Sequence, residues 1–488
     1  MIGARLLQLS RDSLVYGFGS VLSSFVGIAL VPILTRLFTP SEYGVIDLLV
    51  TVSSLAIAFL SFGFDSAAAI LFFEVEREEE KVRVLSTAIW FIFVASSIVV
   101  LVLLPLSGLW SKLLFQKESY IGPVQLALAI IPFNLLLGFA LNGLRFRFAR
   151  TRYLLSVLIQ VILTIALTVI LLIPVQAGIL GYFIAWFVSV AVTGAITLAL
   201  AQRNLSTRFS GVVLRKLLVV GLPLIPAAIA GWSLSLIDRF FISRYSLHEL
   251  GLYSLGVKLS SVLGLGIAAL QLAWGPFALS LAKEPEAKQT YAKVLSLYTF
   301  VAGFLALLLT AYAPEIIKIT SSGEFFGSAR VVGWICLGLL AYGSYYIVSI
   351  GVAISKKTSH LAWTTAAAAI LNIVLNFILI PPYGMVGAAI ATLLSYVASA
   401  WLLYKVSQKY YPIPFESKKV ALTWILLATF TLVFFLLPQE VQPKTFLLKT
   451  ATVALFPLML FSLRIVETGE LTAVRNLFRS VLQRLKRQ

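Results

Sequence analysis

Two short stretches of the chain share the pattern G-x-x-G-x-x-I-A: Gly178-Ile-Leu-Gly-Tyr-Phe-Ile-Ala185 and Gly384-Met-Val-Gly-Ala-Ala-Ile-Ala391. Each stretch joins two hydrophobic segments, and the second begins 206 residues after the first. A second pair, Glu42-Tyr-Gly44 and Glu249-Leu-Gly251, matches at a spacing of 207. The glycines also permit tight turns and close helix packing. Two independent matches whose spacings differ by only one residue nevertheless predict an internal duplication.

The sequence around these stretches is that of a membrane protein. Of its 488 residues, 60% are hydrophobic and 12% are charged, whereas soluble globular proteins average about 45–50% and about 25%. A transmembrane helix needs about 20 mainly apolar residues. We predict an all-α polytopic protein with fourteen spans, at 14–34, 44–64, 84–104, 123–142, 154–174, 180–201, 217–237, 252–275, 292–312, 331–354, 361–380, 386–404, 420–437 and 446–464.

The duplication divides these spans into lobes. We predict an N-terminal lobe of six helices at 1–210, a C-terminal lobe of six at 211–410, and a third part at 411–488 with two helices and a basic tail. An even number of spans per repeat preserves orientation. The lobes should therefore be related by an axis along the membrane normal, as in some secondary transporters.

The basic residues predict which side each end of the chain occupies. The two termini and the loops on their side hold 28 of the 38 Lys and Arg residues, and the opposite loops, to which Lys449 is assigned, hold 9. Cytoplasmic loops carry the excess of Lys and Arg, so we predict a multi-pass protein of the cytoplasmic (inner) membrane with both termini in the cytoplasm. Orientation and anionic lipids account for most of the net charge of +18, and nucleic acid is not expected as a partner.

Few residues could support a metal site or catalysis. Cys336 is the single cysteine, and His248 and His360 lie on opposite predicted faces of the membrane. These residues exclude an internal disulfide, a Cys/His metal site and an acid–base pair of histidines. No connection between spans exceeds about twenty residues, which leaves no room for a separate catalytic domain. We therefore predict neither an enzyme nor a protein that needs a cofactor.

Several motifs occur together in a characteristic order. They are Arg36-Leu-Phe-Thr-Pro-Ser-Glu-Tyr-Gly44, Gly63-Phe-Asp-Ser-Ala67, Asp238-Arg-Phe240 and the long stretch from Asn372 through Asn376 to Ala391. Together they resemble the bacterial polysaccharide transporters, the O-antigen and exopolysaccharide flippases of the multidrug/oligosaccharidyl-lipid/polysaccharide exporter superfamily. The resemblance covers essentially the full length and the fourteen-helix count, and it implies a MATE-like fold.

The resemblance also implies a function. It is the translocation of an undecaprenyl-pyrophosphate-linked oligosaccharide across the cytoplasmic membrane by alternating access. The implied partners are that substrate, membrane lipids and proteins of polysaccharide polymerisation and assembly. Two alternatives remain within the superfamily: a lipid II flippase and a cation-coupled exporter of drugs or metabolites. Exporters of the latter kind present carboxylates well inside helices, whereas the deepest charge here is that of Lys258, which favours an anionic cargo.

A pyrophosphate cargo needs cations inside the membrane, where charge is costly and usually functional. Lys258, Arg239 and Arg36 are the candidate pyrophosphate ligands, and arginine suits phosphate oxygens because its planar group donates paired hydrogen bonds. The arginines could instead extend to the headgroups. Asp47 and Arg244 are assigned to an outer gate, in which Asp47 pairs with Lys258 or Arg244. Local capping by Asp47 is the alternative.

Polar and aromatic residues inside spans could contact the glycan by hydrogen bonds and ring stacking. The candidates are Gln271, Trp274, Asn134 and Asn372. Packing between helices is the alternative for each of them.

Overall fold

The structure, a computed structural model, describes residues 16, 17, 19, 21, 22, 25–201, 209–463 and 465. Over these residues the regular elements are helices. The α-helices are α1 (Val31–Leu37), α2 (Pro40–Leu60), α3 (Phe64–Glu74), α4 (Glu78–Leu103), α5 (Ser107–Phe115), α6 (Ile121–Phe146), α7 (Arg150–Leu172), α8 (Gly178–Ala201), α9 (Gly211–Gly221), α10 (Ile225–Leu236), α11 (Asp238–Tyr245), α12 (Leu247–Leu281), α13 (Ala287–Thr320), α14 (Ala329–Val348), α15 (Ile350–Ile354), α16 (Ser359–Tyr410), α17 (Ser417–Leu436) and α18 (Pro443–Ser462).

Twelve helical segments in the described part of the chain are long and apolar enough to cross a membrane. Some combine consecutive helices, as α2 and α3 form the segment Pro40–Glu74. They correspond to thirteen of the fourteen predicted spans, with ends that differ by a few residues, because α16 includes both the eleventh and the twelfth. The first predicted span, 14–34, lies partly outside the described residues. The prediction of an all-α membrane protein is confirmed.

Helix α16 reverses direction at one glycine. Its 52 residues would measure about 78 Å as a straight helix, at about 1.5 Å per residue, far more than the hydrocarbon core of about 30 Å. Gly384 has φ 55° and ψ −135°, which breaks the helix. Only glycine adopts this conformation readily. The glycine of the repeated G-x-x-G turn therefore separates two spans.

The chain forms two compact units. The first comprises Met1–Lys258, Thr320–Phe325 and Thr365–Ala388, and the second comprises Leu259–Ile319, Phe326–Thr364 and Ala389–Gln488. In the first unit α6 packs against α4 and α8, and α2 packs against α10 and α11. In the second unit α17 packs against α14 and α18. The predicted lobe boundaries, at 210 and 410, stay a prediction.

Candidate functional site

The site begins at the N-terminus of α2, where the sequence specifies the first turn. The Thr39 hydroxyl accepts a hydrogen bond from the backbone N–H of Glu42, and the Glu42 carboxylate accepts one from the backbone N–H of Thr39 at 2.9 Å. Pro40 occupies the first turn, where its missing N–H costs nothing. This capping box fixes the start of α2. It thereby places Asp47 two turns into the helix.

Arg239, on α11, lies between two carboxylates. Its Nε donates to Asp47 Oδ2 at 3.0 Å, and its Nη1 donates to Asp238 Oδ1 at 2.9 Å. Nη1 also donates to the carbonyl oxygen of Ser235. The Arg239 side chain is 7% exposed, and those of Asp47 and Asp238 are 23% and 4% exposed. Breaking such a buried ion pair leaves an uncompensated charge, so α2 and α11 are held together here.

Helix α12 completes this charge cluster. The Ser254 hydroxyl donates to Asp47 Oδ2 at 2.7 Å, and the Tyr253 hydroxyl donates to Asp238 Oδ2. Lys258 follows Ser254 by one helical turn, so both lie on the same face of α12. Lys258 is half-buried and interacts electrostatically with Asp47 and Arg239. The cluster thus combines two carboxylates and two cations in the first unit.

The N-terminal ends of α2 and α12 are in backbone contact at two glycines. A Cβ on Gly44 would meet the carbonyl oxygen of Leu247, and a Cβ on Gly251 would meet the carbonyl oxygen of Pro40. Gly44 and Gly251 belong to the motif that the sequence repeats after 207 residues, and Pro40 and Leu247 have the same spacing. Only glycine permits this backbone approach. We name this pair of contacts the glycine contact.

A second contact of α12 involves the repeated turn of α16. A carboxylate oxygen of Glu249 accepts a hydrogen bond from the backbone N–H of Met385 at 2.8 Å, directly after the break at Gly384. Glu249 therefore satisfies a donor at the start of the second part of α16. This contact also lies within the first unit.

The residues assigned to the outer gate are only partly together. Asp47 pairs with Arg239, which the sequence assigned to the substrate, and the outer gate in which Asp47 pairs with Lys258 or Arg244 stays a prediction. Arg244 is exposed, because five residues on a helix of 3.6 residues per turn place it on a different face from Arg239. Arg36, at the end of α1, is also exposed. Substrate roles for Lys258, Arg239 and Arg36 stay predictions.

The four predicted glycan contacts lie in different surroundings. Asn372 is 1% exposed, and its Oδ1 accepts a hydrogen bond from Asn376 within the first unit. Asn134, in the same unit, is half-buried. In the second unit Trp274 is 5% exposed and packs edge-on against Tyr291, and Gln271 is exposed. The burial of Asn372 and Trp274 favours packing, the alternative reading of these residues.

Sequence reasoning missed an ion pair in the second unit. Lys449, assigned to an outer loop, lies inside α18, is 1% exposed and donates to Glu315 of α13 at 2.8 Å. One signal was available for Lys449, which stands within the predicted span 446–464, where charges are rare. Its pairing with Glu315 could not be predicted, because 134 residues separate them.

A sequence comparison identifies the family of the chain. Residues 33–329 match the family model described as polysaccharide biosynthesis protein. This match covers more than half of the chain, so it identifies the family over both the charge cluster and the glycine contact. A comparison with curated proteins finds no match.

Solved structures share the fold. A lipid II flippase MurJ in an inward closed conformation aligns with a TM-score of 0.72 at 16% identity, over 93% of this chain and 98% of that chain. A multidrug resistance MATE family transporter of the MOP superfamily, in an inward-facing conformation, aligns with a TM-score of 0.62 at 13% identity, over 82% and 98%. The MATE transporter VcmN of Vibrio cholerae gives 0.57 at 17% identity, over 83% and 96%. The family match over more than half of the chain shows that the chain belongs to the polysaccharide biosynthesis protein family, and its fold agrees with this.

Proposed function

We propose that the protein is a flippase that moves an undecaprenyl-pyrophosphate-linked oligosaccharide across the cytoplasmic membrane by alternating access. The family match supports a role in polysaccharide assembly, and the fold is one that transporters use. Proteins of polysaccharide polymerisation are the partners that this role would require. The two termini lie in the cytoplasm under this proposal, as the basic residues predict.

The observation that carries the proposal is the intramembrane charge cluster of Asp47, Asp238, Arg239 and Lys258. Ionisable groups in spans are expensive and mark transport pathways. Both carboxylates already bind Arg239, so they offer little to a cationic drug. Lys258 adds a second cation that an anionic pyrophosphate can approach. The cluster therefore favours an anionic cargo over a cationic one.

The cluster also provides a way to couple binding to opening. Oxygens of a bound pyrophosphate compete with Asp47 for the Arg239 guanidinium, since both accept the same N–H donors. The loss of the Asp47–Arg239 bond weakens the hold between α2 and α11. A ligand shifts a conformational equilibrium only through such a difference in interaction between the two states.

The test is a flipping assay with purified protein in liposomes. The probe is an undecaprenyl-pyrophosphate oligosaccharide that carries an NBD dye on its sugar, and dithionite added outside destroys only the dye that it reaches. We expect the quenching to pass beyond the outer-leaflet fraction in liposomes that contain the protein. Quenching that stops at the level of protein-free liposomes would overturn the proposal.

A second cargo distinguishes the main alternative. The structural likeness to a lipid II flippase makes NBD-labelled lipid II the appropriate comparison in the same liposomes. Faster movement of the oligosaccharide lipid supports the proposed substrate. If only lipid II moves, the protein is a lipid II flippase and the proposed substrate is wrong. If a cationic dye is taken up and neither lipid moves, the protein is not a flippase for either lipid.

A further inference from the structure

Aromatic and basic side chains meet where the two ends of α16 come together. Some stand in the turn before this helix and in its first turns, and others stand at its last residues. We name this group the aromatic–lysine patch, and its members are Lys357, His360, Trp363, Lys409 and Tyr410. All of them belong to the second unit. The basic residues predict that this side of the protein faces the cytoplasm.

A series of hydrogen bonds connects the two ends of the helix. The Trp363 indole N–H donates to His360 Nδ1 at 2.6 Å, and His360 Nε2 lies 3.3 Å from the Tyr410 hydroxyl. An indole nitrogen only donates, so Nδ1 accepts, and the proton of the neutral imidazole is on Nε2, which donates to the Tyr410 oxygen. Tyr410 makes no other hydrogen bond within the described residues. Its hydroxyl proton is therefore left to donate to a ligand.

Two lysines lie against the ring of the same tyrosine. Lys357 Nζ is 6.0 Å and Lys409 Nζ is 5.7 Å from the centre of the Tyr410 ring. Both lysines are exposed, and neither makes an ion pair with another residue that the structure describes. A contact with an aromatic ring orients an ammonium group but leaves its charge in place. Two positive charges thus flank one hydroxyl donor.

The neighbouring sequence offers these lysines no acidic partner. The chain contains no Asp or Glu between Glu324 and Glu416. Glu416 is already bound, since its carboxylate accepts hydrogen bonds from Lys419 and from the Ser296 hydroxyl. We therefore expect the counter-charge of the patch to come from outside the chain.

The aromatic side chains indicate that the patch lies at the level of the lipid headgroups. Trp363 is 44% exposed and Tyr410 is 37% exposed, and each stands near one end of α16. Exposed Trp and Tyr rings at the ends of spans are typical of the membrane–water interface, where anionic lipids attract basic side chains. The phosphodiester of such a lipid accepts hydrogen bonds from ammonium and hydroxyl groups.

We propose that the aromatic–lysine patch binds the phosphodiester of an anionic phospholipid of the cytoplasmic leaflet, with phosphate oxygens on Lys357, Lys409 and the Tyr410 hydroxyl. This lipid is a bound ligand of the protein and is separate from its cargo. Lys357 and Lys409 stand on opposite sides of the reversal at Gly384 in the sequence, so the lipid holds the two ends of α16 together. The inference does not depend on the proposed function.

Native mass spectrometry of the purified protein in detergent tests the proposal. The probes are phosphatidylglycerol and phosphatidylcholine with identical acyl chains, of which only the first carries a net charge. We expect the wild type to bind phosphatidylglycerol more tightly. Lys357→Ala with Lys409→Ala should weaken that binding by about tenfold, because it removes both cations. Binding of phosphatidylcholine should be unchanged.

Two milder variants keep the surroundings of the patch. Tyr410→Phe removes only the hydroxyl, and we expect it to weaken phosphatidylglycerol binding by about threefold, as for the loss of one hydrogen bond. Lys357→Arg with Lys409→Arg keeps both charges and should bind as the wild type does. Unfolding temperatures identify any variant that is misfolded, and Tyr410→Phe tests the site independently of the lysine substitutions.

Lys283→Ala with Lys418→Ala is the matched control. Both lysines are exposed residues of the second unit on the same predicted side of the membrane, and neither contacts an aromatic ring within the described residues. This variant loses the same charge, and we expect it to bind phosphatidylglycerol as the wild type does. An equal loss in both alanine pairs would show a general attraction of charge and would reject the site.

Two further outcomes would also overturn the inference. If the wild type binds both lipids equally, the patch does not select an anionic lipid. If excess inorganic phosphate displaces phosphatidylglycerol, the patch is a site for free phosphate and not for a lipid. Neither result changes the outcome of the flipping assay, so the flippase proposal is tested separately.

Discussion

Lys258 is the residue on which the pyrophosphate proposal depends. It is half-buried on the face of α12 that carries Ser254, next to the bound Asp47. We expect Lys258→Ala to reduce flipping by at least about tenfold, because one charge-assisted hydrogen bond contributes roughly 1.5–3 kcal/mol. Lys258→Arg should keep part of the activity. The NBD assay in liposomes measures both.

Lys318→Ala serves as the control for that substitution. Lys318 is an exposed lysine at the end of α13, so its loss removes a cation of the same type away from the cluster. Wild-type flipping by a folded Lys258→Ala protein would remove Lys258 from the transport path.

Arg239 has a different role, since its donors are already bound to Asp47, Asp238 and the Ser235 carbonyl. Arg239→Gln removes the guanidinium that binds both the Asp47 and the Asp238 carboxylate. We expect a clear fall in the unfolding temperature, since removing one partner of a buried ion pair costs roughly 3–5 kcal/mol. Replacing all three, with Asp47→Asn and Asp238→Asn added, should restore part of it.

Arg244→Gln is the matched control on the same helix. Arg244 is exposed, and surface substitutions usually change stability by less than about 0.5 kcal/mol. Equal unfolding temperatures for Arg239→Gln and Arg244→Gln would show that the Arg239 ion pairs contribute nothing to stability.

At the scale of the elements, the glycine contact brings the ends of α2 and α12 together. A methyl group on Gly44 or Gly251 would meet backbone carbonyl oxygens, which cannot move away as a flexible side chain can. We therefore expect Gly44→Ala and Gly251→Ala to favour conformations in which these ends are apart. Ser54 is a half-buried residue of α2 whose hydroxyl accepts a hydrogen bond from Trp232 of α10. A cysteine in its place, in a Cys336→Ser background, should then react faster with a water-soluble maleimide.

Gly264→Ala controls for the change of residue type on α12. A Cβ at Gly264 would meet nothing within 4 Å, so it should leave the reactivity of Ser54→Cys unchanged. Equal labelling of all three alanine variants would mean that the glycine contact does not govern access to this position.

A second pairing of elements joins α18 to α13 through Lys449 and Glu315. The Tyr312 hydroxyl and the Thr450 hydroxyl, 2.8 Å apart, add a neighbouring bond. Lys449→Met should lower the unfolding temperature because it strands the Glu315 carboxylate, and Lys449→Met with Glu315→Leu should recover it. Lys444→Met, at an exposed lysine of the same helix, is the control. If Lys449→Met unfolds at the same temperature as the wild type, the Lys449–Glu315 ion pair does not stabilise the protein.

At the scale of the whole molecule, the distribution of basic residues predicts the orientation in the membrane. His248 and Ser359 are both exposed and lie on opposite predicted sides. In a Cys336→Ser background, His248→Cys should react with an impermeant maleimide from outside the cell, and Ser359→Cys only after permeabilisation. The reverse pattern would invert the topology.

The sequence by itself determined the membrane nature of the chain and the approximate position of its helices. Both follow from local energies, because each span must satisfy its backbone within itself and bury an apolar surface in lipid. The repeated turns could also be predicted from local energies, because the break at Gly384 depends on the conformational freedom of one residue. The charges Asp47, Arg239 and Lys258 were recognisable because ionisable groups are rare in spans.

Only the tertiary structure decided which of these residues meet. Asp47 and Arg239 are 192 residues apart, and the rotation of α11 about its axis selects Arg239 rather than Arg244 as the partner. The same holds for Lys449 and Glu315, which are 134 residues apart. The hydrophobicity of a segment predicts that it forms a helix in the membrane. The direction in which each side chain of that helix points is set by packing against neighbouring helices, mainly through small residues and polar contacts.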